Sequence, residues 1–225
     1  MMTFYAAVGS YRIKKTNGRK VPYIQRLGKY HPVSIPEFVI WSTLLWEVMT
    51  YDELKRHYEQ QMKMSGMSTP NFDELLDMLV KRKLVARGMG YTGADALYRI
   101  VADAFVVPYR IGAEKKLLAT LKFWARGDIS LRGLAFRKPE APLKENEARV
   151  MDLVRQTPLS GAELVCCFDR DIRDVSSAEK VIEGIYSDTD QNHLSNNQFV
   201  SENRTIVMEA IANLYLRRKI LLELA

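Results

Sequence analysis

Four groups of residues in this 225-residue sequence have types and spacings that chemistry could use. Gly88, Gly90 and Gly93 stand in Gly-Met-Gly-Tyr-Thr-Gly, the G-x-G-x-x-G spacing that cradles a dinucleotide phosphate. Such a cradle needs a buried strand before it, a helix after it and a βαβ unit around it. Here Phe72 to Lys83 has helical spacing and Ala96 to Val101 has strand character, so the glycines read as a turn. Asp188, Asp190 and Asn192 begin like a calcium loop. The sixth position is His193 instead of Gly and the twelfth is Phe199 instead of Glu, which leaves a solvated loop. His31, His57 and His193 lack metal-ligand spacing. Cys166 and Cys167 adjoin in an apolar run and read as buried thiols on a helix, not as a staple. With no P-loop and no G-x-S-x-G elbow, the sequence predicts a non-enzyme that uses no metal and no cofactor.

A fifth group is the basic one. The net charge is +6, and residues 1–31 alone carry Arg12, Lys14, Lys15, Arg19, Lys20, Arg26 and Lys29 with no acid. A second basic stretch covers residues 110–138, while the rest of the chain is slightly acidic. Two concentrated patches point to an anionic partner. The composition, 47% hydrophobic and 27% charged, suits a globular protein with a core. No apolar run approaches the ~20 residues of a membrane span. Tyr11 to Lys20 is basic where a signal peptide's apolar core should end. The expectation is a cytoplasmic protein with no membrane contact.

These residues need elements to hold them. Thr3 to Lys15 and Val21 to Leu27 have strand character around Asn17-Gly18, a strong hairpin signal. His31 to Pro36 reads as a short linker. Pro36 to Met49 and Tyr51 to Met62 read as helices, the second capped by Thr50. A third follows, with Thr69 as N-cap, Pro70 at the first helical position and Phe72, Leu75, Leu76 and Leu79 on one face. Leu84 and Val85 start a strand, and Ala96 to Val101 returns as its partner. Ala102 to Gly112 is an apolar connector. Glu114 to Arg126 has an amphipathic helical pattern, and Gly127 to Leu143 reads as a linker. Glu145 to Gln156 and a Ser160-capped segment to Phe168 are helical, and Met208 to Leu222 is a long helix. Placing Arg82-Lys83-Leu84-Val85 over Arg218-Lys219-Ile220-Leu221 makes the C-terminal third echo the first trio at an offset of 136.

Three helices followed by a Gly-turn hairpin resemble the winged-helix superfamily over Pro36 to Val101, with Leu79 to Arg87 as its short signature. The fold class that follows is mainly α with small β (α+β). Residues 1–35 would form a basic β-hairpin and 36–107 a winged helix-turn-helix. Residues 108–141 would be a helical linker and 142–225 a second, wingless winged-helix-like domain. The resemblance implies a transcriptional regulator that reads duplex DNA with its third helix and wing. The residues facing DNA would be Ser65, Ser68, Thr69, Asn71 and Lys81 around that helix, Arg87 and Arg99 on the wing, and Arg12, Lys14, Lys15, Arg19 and Lys20 on the hairpin. Asp73, Glu74 and Asp77 on the same helix oppose phosphates. A homodimer through Ile211, Leu214, Tyr215 and Leu216 is expected.

The basic hairpin, the extended segment after it and the three helices also resemble PqqD-like recognition elements. There, strands precede the trio and a leader peptide adds a strand at a sheet edge. That resemblance implies a peptide or protein partner in place of DNA.

Overall fold

The computed structural model describes residues 1–16, 18–66, 68–109, 141–187, 194 and 196–225. The sequence-predicted helix at 114–126, the calcium-like Asp188 to Asn192 and Asn17 lie outside the described residues. The architecture is α+β, as expected. In the first half, β1 (Met2–Ala7) leads into β2 (Ser10–Thr16), β3 (Arg19–Arg26) and β4 (Lys29–Pro32). Then come α1 (Ile35–Thr43), β5 (Val48–Thr50), α2 (Tyr51–Ser65), α3 (Phe72–Lys81) and β6 (Val85–Gly90). Helix α4 (Gly93–Ala102) links to β7 (Phe105–Pro108). The second half adds α5 (Glu145–Gln156), β8 (Leu159–Ser160), α6 (Gly161–Asp169), α7 (Ala178–Ile185), α8 (Arg204–Leu216) and β9 (Ile220–Glu223).

Helix starts follow local chemistry. Ser34, Thr50 and Ser160 each accept from the backbone N–H three residues on, while Glu37, Glu53 and Glu163 reach back to the cap's own N–H. These reciprocal bonds satisfy two orphan donors at each helix entrance. Helix α3 is capped by Asn71, not Thr69, and starts at Phe72. The first predicted helix ends early. Trp46, at φ 63°, turns the chain so that Val48 to Thr50 joins a sheet.

Each half has the same topology. Strand β1 lies between β5 and β6, antiparallel to both, with Phe4 opposite Thr50 and Tyr5 opposite Arg87. Strand β7 lies likewise between β8 and β9, with Phe105 opposite Ser160 and Val106 opposite Leu222. The central strand of each sheet thus comes from before its helix trio. The expected wing strand, Ala96 to Val101, is helix α4 instead: Thr92 caps it, and Ala96, Tyr98, Ile100 and Val101 are buried. Gly88 and Gly90 lie in β6 and not in a turn. A Cβ on Gly88 would stand 2.1 Å from the Ala96 carbonyl oxygen, and one on Gly90 2.5 Å from the Ala96 nitrogen. The glycines let α4 cross the strand at backbone contact.

The two halves share cap and turn positions, but the third helix matches one residue away from the expected offset of 136. The first two helices superpose at an offset of 110 (Thr50 on Ser160, Glu53 on Glu163, Leu54 on Leu164). The third superposes at 135, because α3 and α8 end at Arg82 and Arg217 and are followed by left-handed Lys83 and Arg218. At that offset Phe72, Leu76 and Leu79 fall on Val207, Ile211 and Leu214, all buried. The predicted long helix 208–222 is therefore α8 plus strand β9.

Each trio encloses a core, Trp41, Leu54, Tyr58 and Leu79 in the first and Val150, Leu164, Leu214 and Ile220 in the second. The second core extends over α4, Ala6 and Val8, so the halves are welded. Gly9 donates its N–H to the Leu222 carbonyl (2.7 Å), and the Tyr215 hydroxyl accepts from the Trp46 N–H (3.1 Å). Ile211, Leu214 and Tyr215 are buried inside the chain, so of the expected dimer contact only Leu216 is exposed. Among the described residues no helix is long and apolar enough to cross a membrane.

Candidate functional site

The basic hairpin is part of a three-stranded antiparallel sheet in the order β2–β3–β4, since Lys29 to Pro32 is a strand that takes in His31 and Pro32 of the expected linker. Gly9, at φ 82°, breaks the predicted Thr3 to Lys15 strand in two. A Cβ there would stand 2.2 Å from the Gln25 carbonyl oxygen, so the chain turns against β3 to start a new sheet. One sheet face packs on α1. Ile24 and Pro22 are buried there, and Tyr11 meets Phe38 and Trp41 edge-on at 5.4 and 6.0 Å. The Trp41 indole N–H donates to the Val8 carbonyl (3.0 Å), fixing α1 against the strand junction.

Pairing decides which backbone groups are open. Leu27 and Gly28, at φ 46° and 77°, form a two-residue turn that makes Arg26 and Lys29 the closing pair. Hydrogen-bonded and outward-pointing residues then alternate. On β4, the groups of Tyr30 and Pro32 point outward. Proline has no N–H, and the Pro32 carbonyl accepts from Arg82 Nη2 (2.6 Å), so this edge is blunted. On β2, by the same alternation from Thr16 opposite Arg19, the outward groups are those of Tyr11, Ile13 and Lys15. Strand β2 has no second strand beside it among the described residues.

That open edge borders a cleft of about 530 Å³. Tyr11 and Ile13, 45% and 57% exposed, form one side. Phe38, Leu45, Trp46 and Met49 form its apolar floor, and Ser42, Thr43, Glu47, His57, Gln61 and Arg218 its polar rim. Trp46 is clamped between the Tyr109 ring at 5.4 Å and the Arg218 guanidinium at 5.0 Å. Its indole N–H is buried with no acceptor among the described residues. Against the single carboxylate Glu47 stand Arg218 on the rim and Lys15 on the bordering strand. Within β4, burial and the charges of Arg26, Arg82 and Lys29 hold the His31 imidazole below its usual pKa.

The predicted contact residues separate into distinct places. Arg12 and Lys14 project from the sheet's other, open face. Lys15 lies on the α1-facing side, and Lys20, opposite it, is exposed near the turn. Arg19 is in β3, and its side chain lies outside the described residues. Ser68 and Thr69 are exposed before α3, and Asn71 is committed to accepting from the Asp73 N–H and donating to Glu74. Ser65 donates to the Met62 carbonyl (2.8 Å). Lys81 pairs with Asp77 at 2.6 Å. Arg87 is exposed on β6, and Arg99 is on α4, not a wing, with its guanidinium 5.2 Å from the Phe199 ring. Sequence reasoning missed Phe38, Leu45, Trp46, Met49 and Arg218 as cleft residues. Only the broken apolar pattern after Thr43 hinted that this segment leaves the helix. Cys166 and Cys167 are buried as expected, and burial raises the Cys167 thiol to about 12, far from a reactive thiolate.

No family model matches the chain, and neither a curated protein nor a solved structure matches it.

Proposed function

We propose that the protein is a binding module whose first half captures an extended peptide or protein segment as a strand added to β2. The open β2 edge above the apolar cleft carries this reading. Main-chain hydrogen bonds to Tyr11, Ile13 and Lys15 would supply affinity, and alternate side chains entering the cleft would supply selectivity. The third strand β4 strengthens the resemblance to PqqD-like elements, in which strands precede a helix trio. In this chain the strand next to the trio is blunted by Pro32 and Arg82, which moves the receptive edge to β2.

The other reading seats α3 of a permuted winged helix in duplex DNA. The helix trio and the cationic sheet favour it. The exposed side of α3 weighs against it, with Asp73, Glu74 and Asp77 where phosphates would approach and helix α4 where the wing strand was expected.

The test is selection from a displayed random-peptide library on the full chain and on Ile13→Pro. The Ile13 N–H points away from β3, so proline blocks the edge without removing a bond of the ladder. Peptides enriched on the wild type should lose binding to Ile13→Pro, and the amides of Tyr11, Ile13 and Lys15 should gain hydrogen-exchange protection. Equal binding to both forms would sink the reading.

A further inference from the structure

The open face of the β2–β3–β4 sheet has chemistry of its own, separate from the β2 edge. In the β2–β3 register Arg12 stands opposite Tyr23 and Lys14 opposite Val21; in the β3–β4 register Tyr23 stands opposite Pro32 and Gln25 opposite Tyr30. Arg12, Lys14, Tyr23 and Tyr30 therefore share one face, the one turned away from α1. Arg12 and Lys14 are exposed, and Tyr30 is 36% exposed. The Lys14 ammonium lies 3.7 Å from the Tyr30 ring centre and 5.3 Å from that of Tyr23, and the Arg12 guanidinium lies 5.8 Å from Tyr30. Residues 1–31 hold no carboxylate, so these strands bring no acid of their own to the face.

We infer that this face binds single-stranded nucleic acid, with bases on Tyr23 and Tyr30 and backbone phosphates on Arg12 and Lys14. Flat aromatic rings interleaved with cations on a sheet are what an unpaired strand can use, because its bases expose their faces for stacking. A duplex hides those faces and offers this surface only phosphates. An acidic peptide would use the cations and leave the rings idle. Binding requires a local exchange: the ammonium of Lys14 leaves the Tyr30 ring for a phosphate, and a base takes its place on the ring. The cations are already at the ring faces, so the move is short. This site does not depend on the peptide reading, since it uses the face of the sheet and not its edge.

The experiment is fluorescence anisotropy of labelled oligo-dT of about 15 nucleotides on the full chain, a length that covers the usual single-strand footprint. Unlabelled oligo-dT, a duplex of equal length and polyglutamate serve as competitors. Replacing Arg12 and Lys14 together by Gln should flatten the salt dependence by about 1.4, roughly 0.7 for each phosphate contact on a single strand. Replacing Tyr23 and Tyr30 together by Leu should weaken binding about tenfold or more at unchanged salt dependence, while the matching Phe pair stays near the wild type. Should the Leu pair disturb the sheet, Tyr30→Leu alone is expected to lose severalfold. The inference is overturned if oligo-dT does not bind, or if the Leu variants bind like the wild type. It is equally overturned if duplex or polyglutamate displaces the probe as well as oligo-dT does, which would mark a merely cationic surface.

Discussion

At the end of α3, Arg82 reaches Glu37 of α1 at 2.9 Å and also holds the Pro32 carbonyl. At the end of α8, Arg217 reaches Glu147 of α5 at 2.7 Å and also holds the Ala141 carbonyl. Both glutamates are buried, and both accept the backbone N–H at the entrance of their own helix. In each half, then, one side chain caps the first helix and is locked by an arginine from the third. Outside that lock the halves part. The first carries a three-stranded basic sheet between its central strand and its first helix, and its second helix is a single long α2. The second has the shorter α6, and 25 more residues before its third helix, the difference between the offsets 135 and 110. The repeated part is what closes a trio, and the differing part is surface. The repeat serves packing, and the groups open to a partner lie in the sheet and its cleft.

The strongest way to break this comparison is to open the two locks. Arg217→Ala leaves Glu147, with a side chain only 3% exposed, as a buried charge without its cationic partner, and should cost about 3–5 kcal/mol in urea unfolding. Arg82→Ala should cost somewhat less, about 2–3 kcal/mol, because the Glu37 side chain is 9% exposed and partly hydrated. A loss below about 1 kcal/mol in either variant would deny the lock its role. Next comes the crossing of α4 over β6. Gly88→Ala should cost about 1–3 kcal/mol through the clash with Ala96. Its counterpart at offset 135 is Glu223, which accepts the Leu27 N–H, and Glu223→Ala should cost about 1 kcal/mol. Equal effects would mean that the helix crossing is not what demands glycine.

Smaller effects sharpen the equivalence. Thr50→Ala and Ser160→Ala should each cost about 1 kcal/mol and should add in the double variant, being independent caps. The smallest effect belongs to one half alone. Because His31 titrates below its unfolded value near 6.5, the fold favours neutral imidazole. Its contribution is complete above that pH and declines as pH falls through the folded value. His31→Gln should flatten that decline in thermal melts between about pH 7 and 5. The position that matches at offset 110 is Ala141, so no equivalent titration is expected from the second half.

Local signals were readable where chemistry is local. Thr50 and Ser160 announced their helices, Glu145 to Gln156 has the bounds its pattern implied, and Gly18 marked a hairpin whose strands pair as expected. Errors arose where a distant partner decides. Tyr98, Ile100 and Val101 have strand propensity, yet the Thr92 cap and burial against the second core make them helical. Lys29 to Pro32 is too short to show alternation and is a strand because β3 pairs with it. Matching the Arg-Lys letters shifts the third helix by one residue, whereas the left-handed residue after each third helix, Lys83 and Arg218, sets the structural frame. The cleft draws on four elements and Arg218, which no linear spacing could assemble.

The placement of β1 and β7 at the centres of their sheets has a kinetic consequence. Each must wait for a strand made much later: Met2 pairs with Gly90, and Phe105 with Glu223. Neither sheet can zip outward from a tight local hairpin, so closing each costs the entropy of a long loop before any ladder bond repays it. During synthesis the first sheet becomes complete only when β6 has emerged. Until β9 follows, Gly9, the pivot between the two N-terminal sheets, lacks the Leu222 carbonyl that holds its N–H. The junction beneath the basic sheet is thus among the last parts of the molecule to set.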